Sequence, residues 1–126
     1  MNAPGEALAD YVEIKGRFRR SIHLEKDFSA GSQNGDYIIT PAARETLRRV
    51  AEGVAGDSPY RAWTLTGPYG VGKSAFAVFL TRLLCGLGPQ RNRARLQLEE
   101  ADPRLAAELA RLGLFEDGSK GFLPIL

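Results

Sequence analysis

The residues of this chain best suited to chemistry are the eight from Gly67 to Ser74, which read GPYGVGKS and match the pattern G-x-x-x-x-G-K-[ST]. The glycines (Gly67, Gly70 and Gly72) allow positive φ and a close backbone approach, so main-chain N–H groups can surround a phosphate. Lys73, at the start of a helix, would reach the β and γ phosphates, aided by the positive end of the helix dipole. Ser74 would ligate Mg²⁺ through its hydroxyl. The pattern predicts a site for a nucleoside triphosphate and magnesium.

The surroundings of this loop favour a real site over a coincidence. With 14 glycines in 126 residues, random order gives such a match in roughly 0.4% of chains. Residues 62–66 (AWTLT) are rich in β-formers and predict a buried strand, and apolar residues at helical spacing follow Lys73 as far as a stop at Gly86. The predicted nucleotide contacts are Gly67, Pro68, Tyr69, Gly70, Val71, Gly72, Lys73, Ser74 and Ala75, with Lys73 as the catalytic cation and Ser74 as the metal ligand.

Further elements can be placed on either side of the loop. Thr40 as N-cap and Pro41 at the first position predict a helix that ends near Gly53. A helical stretch passes through residues 96–100, and Asp102 with Pro103 begins another helix. The last residues, GFLPIL, predict the opening of a strand. Residues 1–36 form an extended or partly disordered lead-in, in which the apolar residues of 11–28 share one parity, as in a strand pair or an arm.

Composition bounds the class of protein. At 126 residues, with 44% hydrophobic and 25% charged residues, the chain is expected to form one domain at most. It contains no apolar run of membrane-spanning length, and its polar start is unlike a signal peptide, so a cytoplasmic setting is expected. Cys85 is the single cysteine, which excludes an internal disulfide, and it is expected to be a packed core thiol.

The charge pattern gives no indication of nucleic-acid binding, since the net charge is only +2. Two basic clusters are better explained as solvated faces or as contacts to other parts of a larger protein. They are Lys15, Arg17, Arg19 and Arg20, and Arg82, Arg91, Arg93 and Arg95.

Hydrolysis of a bound triphosphate needs a second acidic element, an apolar strand that ends in Asp or Asp-Glu. The sequence does not contain one. Glu99, Glu100 and Asp102 fall in a helix and at its cap, and Asp117 falls in a loop. His23 has no catalytic partner at a recognisable spacing. The chain is therefore expected to bind nucleotide without hydrolysing it.

From Tyr37 to Leu84 the layout resembles the N-terminal part of an AAA+ or STAND-type ATPase, although only the loop, the Walker A motif of that family, is specific. The resemblance implies an incomplete three-layer α/β P-loop NTPase fold over residues 37–126. Its elements would be the lead-in, a helix, the strand–loop–helix unit, a helical segment and the start of a second core strand. It also implies ATP as the nucleotide, and an adenine pocket lined by Tyr37, Ile38 and Ile39. No Asn-Lys-x-Asp guanine signature occurs.

Three functions remain open at this point. The chain could be the head of an ATPase that acts on a protein partner or through further domains, a nucleotide-gated regulatory switch, or a truncated product without independent activity. A P-loop kinase fits less well, because its acceptor site would lie beyond Leu126. No membrane partner is expected.

Overall fold

The computed structural model describes residues 11–12, 22–29, 37–56, 59–85 and 88–115 of the chain. Five α-helices lie in these ranges. They are α1 (Leu24–Ser29), α2 (Pro41–Ala55), α3 (Lys73–Cys85), α4 (Pro89–Ala101) and α5 (Pro103–Arg111).

Helix α2 begins and ends at residues whose chemistry predicts those ends. The Thr40 hydroxyl accepts a hydrogen bond from the Ala43 N–H at 3.2 Å, and Pro41 occupies the first turn, where no N–H is needed. The helix passes through Gly53 and stops at Gly56, which has φ 86° and bonds back to carbonyls of the last turn. The predicted start is confirmed, and the helix continues two residues beyond Gly53.

Helices α4 and α5 are joined by a single residue that serves both. The Asp102 N–H donates to the Leu98 carbonyl at the end of α4, while its carboxylate accepts from the Leu105 N–H at 3.0 Å. Pro103 then occupies the first turn of α5. The predicted N-cap is therefore confirmed.

The apolar core lies between helices. α3 packs against α4, α4 against α5, and α5 against α2. The residues at its centre that are almost free of solvent contact are Leu47, Leu83, Leu98, Leu105 and Leu109. Each helix therefore covers its apolar side with another helix and not with a sheet.

The predicted α/β fold is wrong for the described residues, which contain no strand. Residues 62–66 form neither helix nor strand, and all of them are exposed, including Trp63 at 43% and Leu65 at 45%. A strand needs a neighbour to pair its N–H and C=O groups, and no other segment pairs with this one in the described part of the chain. The β-forming composition of AWTLT is thus a local preference without a sheet to satisfy it.

The lead-in also differs from its prediction where it is described. Leu24–Ser29 form a short helix, because the Asp27 carboxylate accepts the His23 N–H at 2.8 Å while the Asp27 N–H donates to the His23 carbonyl. His23 therefore lies at a helix start and not on a strand. Residues 1–10, 13–21 and 30–36 lie outside the described residues, as do Gly86 and the GFLPIL segment.

No helix in the described ranges is both long and apolar enough to span a lipid bilayer.

Candidate phosphate-binding loop

The loop that the sequence singles out follows residues 59–66, which form neither helix nor strand, and ends in the first turn of α3. Gly70 and Gly72 both have φ 84°, a conformation that L side chains rarely adopt. A Cβ added to either glycine would meet no other atom within 4 Å. Their requirement for glycine is therefore conformational, and the space beside them is open.

Lys73 folds back over this loop. Its ammonium donates to the carbonyl oxygens of Gly67 at 2.7 Å and Pro68 at 2.6 Å. These two bonds join the beginning of the loop to the start of the helix that follows it, and they use two of the three N–H donors of the ammonium. The positive charge is thereby held at the loop.

The first turn of α3 adds main-chain donors at the same place. Its hydrogen-bond ladder begins with the Phe76 N–H, which donates to the Gly72 carbonyl at 2.9 Å. The amides of Lys73, Ser74 and Ala75 precede that bond, as the first amides of any α-helix precede its ladder. Ser74 is exposed, so its hydroxyl is accessible from solvent. This helix end therefore presents N–H groups, a hydroxyl and the positive end of its dipole.

Most of the loop is exposed to solvent. Every residue from Pro59 to Gly72 is exposed, and Tyr69 is 98% exposed at the tip of the loop. Of the loop and the helix that follows it, only α3 reaches the core, where its Phe76 and Phe79 side chains are buried. A phosphate group can reach the loop from solvent without moving a core residue.

The segment that enters the loop is anchored on α2 by a contact that sequence reasoning missed. A Cβ built on Gly53 would overlap two atoms of the Trp63 indole ring and the Tyr60 carbonyl oxygen. The signal that could have found it is the glycine itself, because glycine within a helix costs about 1 kcal/mol relative to alanine and is typical of a close approach.

The residues expected to line an adenine pocket do not act as a group. Tyr37 is half-buried against α3, where it stacks on Phe79, and Ile39 is buried in the core. Ile38 is 82% exposed. Two of the three side chains are thus used for packing, because the segment before α2 must seal one side of the helical core.

Two of the three acidic residues singled out after the loop, Glu99 and Asp102, have structural roles, and the third, Glu100, is exposed on α4. Glu99 accepts from Arg95 at 2.8 Å, one turn away on α4, and Asp102 caps α5. No group of three or more Asp, Glu, His or Cys that could hold a metal ion occurs among the described residues. Asp117 lies outside them. Ser74 therefore stays the predicted metal ligand.

The second basic cluster makes contacts within the chain. Arg82 donates to the Asp27 carbonyl of α1 at 2.6 Å, and Arg91 donates to the Leu114 carbonyl at 2.6 Å. The Arg95 guanidinium lies 5.4 Å from the centre of the Phe115 ring. These arginines connect α3 and α4 to neighbouring segments, and Arg93 also has a partner. The first cluster, Lys15 to Arg20, lies outside the described residues.

Cys85 lies half-buried at the end of α3, and burial raises the pKa of its thiol above the usual value. Both features are typical of a packed thiol rather than a reactive one.

Comparison of the chain with protein-family models, with curated proteins and with solved structures gives no match. The resemblance to AAA+ or STAND-type ATPases is therefore wrong as a family assignment, because it required a strand before the loop and the described residues contain none. The description of the chain as a P-loop ATPase of the AAA class is wrong with it, whereas nucleotide binding by the loop itself stays a prediction. What remains is an eight-residue pattern and the geometry around Lys73.

Proposed function

We propose that the loop Gly67–Ser74 and the first turn of α3 bind the phosphate groups of a nucleoside triphosphate together with Mg²⁺, and that ATP is the first ligand to test. The observation that carries this proposal is the position of the Lys73 ammonium, fixed over the loop by the Gly67 and Pro68 carbonyls. A fixed cation beside the first main-chain amides of a helix is what a polyphosphate requires.

The charge arrangement at α3 supports the same proposal. A cation in the first turn is unfavourable with the helix dipole by about 0.3–1 kcal/mol, and acidic residues are favoured there. The first turn of α3 nevertheless begins with Lys73 and contains no acidic residue. The first turns of α4 and α5 also contain an arginine and no acidic residue, but only at α3 does the cation bond to the glycine loop. A bound anion would offset this local conflict, since it interacts favourably with both the ammonium and the dipole.

Each residue then has a distinct role. Lys73 would contact the terminal phosphates, the amides of the loop and of Ala75 would contact phosphate oxygens, and the Ser74 hydroxyl would ligate Mg²⁺. Gly70 and Gly72 keep the loop open through their positive φ. Mg²⁺ would neutralise part of the phosphate charge at this site.

The chemistry we propose for this chain stops at binding. We predict that hydrolysis is undetectable, because Glu99 is paired with Arg95, Asp102 caps α5, and Glu100 lies on helix α4 rather than at the end of a strand. An acidic group from a protein partner or from further domains would be needed to position water. A cytoplasmic setting, where magnesium and triphosphates occur together, is the compartment we propose.

The test is a titration with Mg²⁺ and ATP followed through Trp63 fluorescence, since Trp63 lies four residues before the loop. We expect a saturable change that Lys73→Ala abolishes. Lys26→Ala, which removes an exposed lysine on α1, is the matched control and should bind as the wild type does. If millimolar ATP gives no saturable change, or if Lys73→Ala retains it, the proposal fails.

Three further arms of the titration define the ligand. Tripolyphosphate tests whether phosphates alone suffice, GTP tests the base, and omission of Mg²⁺ tests the metal. Ser74→Ala should lose the stimulation by Mg²⁺ while it keeps the weaker binding seen without metal. Equal stimulation by Mg²⁺ in Ser74→Ala would remove Ser74 from the site.

A further inference from the structure

Gly53 lies in the last turn of α2, two residues before the helix ends, where a better helix former than glycine would be expected. Within a helix alanine is preferred to glycine by up to about 1 kcal/mol. Gly53 is buried, and a Cβ at this position would overlap the Trp63 ring and the Tyr60 carbonyl oxygen. The missing side chain is therefore the space that the Trp63 indole and the Tyr60 backbone occupy.

This contact sits at one end of the candidate site. The loop is joined to α3 at its C-terminal end and, through the two Lys73 bonds, to its own beginning. At the N-terminal end, Trp63 lies four residues before Gly67. Residues 64–66 between them are exposed, so Trp63 is the last residue before the loop that is shown in contact with a helix.

The geometry points to Gly53 as a positioning residue for the phosphate-binding loop, acting through Trp63. Because Gly53 has no side chain, the Trp63 indole can pack against α2. The packed indole in turn determines the position of the Gly67 carbonyl, which accepts a hydrogen bond from Lys73. This inference rests on the proposed function for its effect on binding, but the coupling of Gly53 to the loop is a property of the nucleotide-free protein.

The binding test is a double-mutant cycle with Gly53→Ala and Trp63→Ala. The probe is ATP labelled on its ribose with N-methylanthraniloyl, whose own fluorescence reports binding when Trp63 is absent. Each single variant should bind about tenfold more weakly, since small misplacements of a positioned group cost up to about 10²-fold. The double variant should bind no more weakly than the weaker single one, because both changes remove the same contact.

Glu52→Ala is the matched control, since it changes the neighbouring position of α2 to the same residue. It should bind as the wild type does. Binding by Gly53→Ala equal to that of Glu52→Ala, or full additivity in the double variant, would overturn the inference.

A second measurement needs no nucleotide. Hydrogen exchange of the Gly67 and Tyr69–Gly72 amides should be faster in Gly53→Ala than in Glu52→Ala, and acrylamide should quench Trp63 more strongly. Unchanged exchange and quenching would overturn the inference even if nucleotide binds.

If the wild type binds no probe, the proposed function fails while this measurement still decides the role of Gly53. If Gly53→Ala does not fold, Trp63→Phe, with its smaller ring, replaces it. Exchange of the loop amides should then be faster than in the wild type, and no rise would overturn the inference.

Discussion

The Tyr37 ring stacks on the Phe79 ring, with their centroids 5.0 Å apart and an angle of 24° between their planes. A second ring of α3, Phe76, lies 6.2 Å from Tyr37 in a tilted arrangement. Tyr37 precedes α2 by only a few residues, so this aromatic cluster joins the beginning of α2 to the helix that follows the loop. The buried side of α3 is thereby fixed in the core.

Replacement of Tyr37 by alanine should destabilise the protein by about 2 kcal/mol, less than for a fully buried aromatic residue because Tyr37 is half-buried. Tyr37→Phe keeps the ring and should cost less than about 0.5 kcal/mol. Urea unfolding followed by circular dichroism measures both. A Tyr37→Ala stability equal to that of Tyr37→Phe would show that the stack contributes little.

The same residue predicts a dependence on alkaline pH. Burial raises the pKa of the Tyr37 hydroxyl above its ordinary value of 10.0. The neutral form is therefore favoured in the folded state, and its contribution to stability is complete below the unfolded pKa and is lost as pH rises through the folded pKa. Wild type should lose more stability than Tyr37→Phe when the pH is raised above 10. Parallel losses in the two proteins, measured by urea unfolding at pH 9 and above 10, would contradict this.

The sequence predicted the helices well where their ends are set by a neighbouring residue. Thr40 and Asp102 cap the amides three residues ahead, and Pro41 and Pro103 fit the first turn whatever lies elsewhere in the fold. Such signals are local, so sequence reasoning can read them directly.

The strand prediction failed because a strand depends on partners that a local pattern does not contain. Residues 62–66 have the composition of a strand, and the helices on either side were expected to cover a sheet. In the described residues, α3 instead buries Phe76 and Phe79 in a core made with other helices. The loop residues were found from their spacing alone, whereas the contact of Trp63 with Gly53 joins positions ten residues apart and becomes visible only in three dimensions.

The hydrogen bond by which Asp102 caps α5 should contribute more to stability than the negative charge of the Asp102 carboxylate. Asp102→Ala removes the acceptor for the Leu105 N–H and should cost about 1 kcal/mol. Asp102→Asn keeps an acceptor and loses only the charge, which lies 4.0 Å from Arg44, a partly exposed pair expected to contribute less than about 1 kcal/mol. Thermal unfolding should therefore place Asp102→Asn close to wild type. If the two variants are equally destabilised, the ion pair and not the cap is the important interaction.

Substitutions at Gly72 can distinguish a loss of stability caused by backbone strain from a loss of nucleotide binding by the loop. Gly72→Ala forces a side chain into φ 84° and should cost about 1–2 kcal/mol of stability, although the added Cβ would meet no atom within 4 Å. Gly88, which precedes α4, provides the matched control, because it also has positive φ, 52°, and open space. Both variants should lower the melting temperature, but only Gly72→Ala should weaken binding of labelled ATP, since only Gly72 lies in the loop. Asparagine tolerates positive φ better than alanine, so Gly72→Asn should recover part of the lost stability. Equal weakening of binding by Gly72→Ala and Gly88→Ala would mean that the loss follows general destabilisation and not the loop.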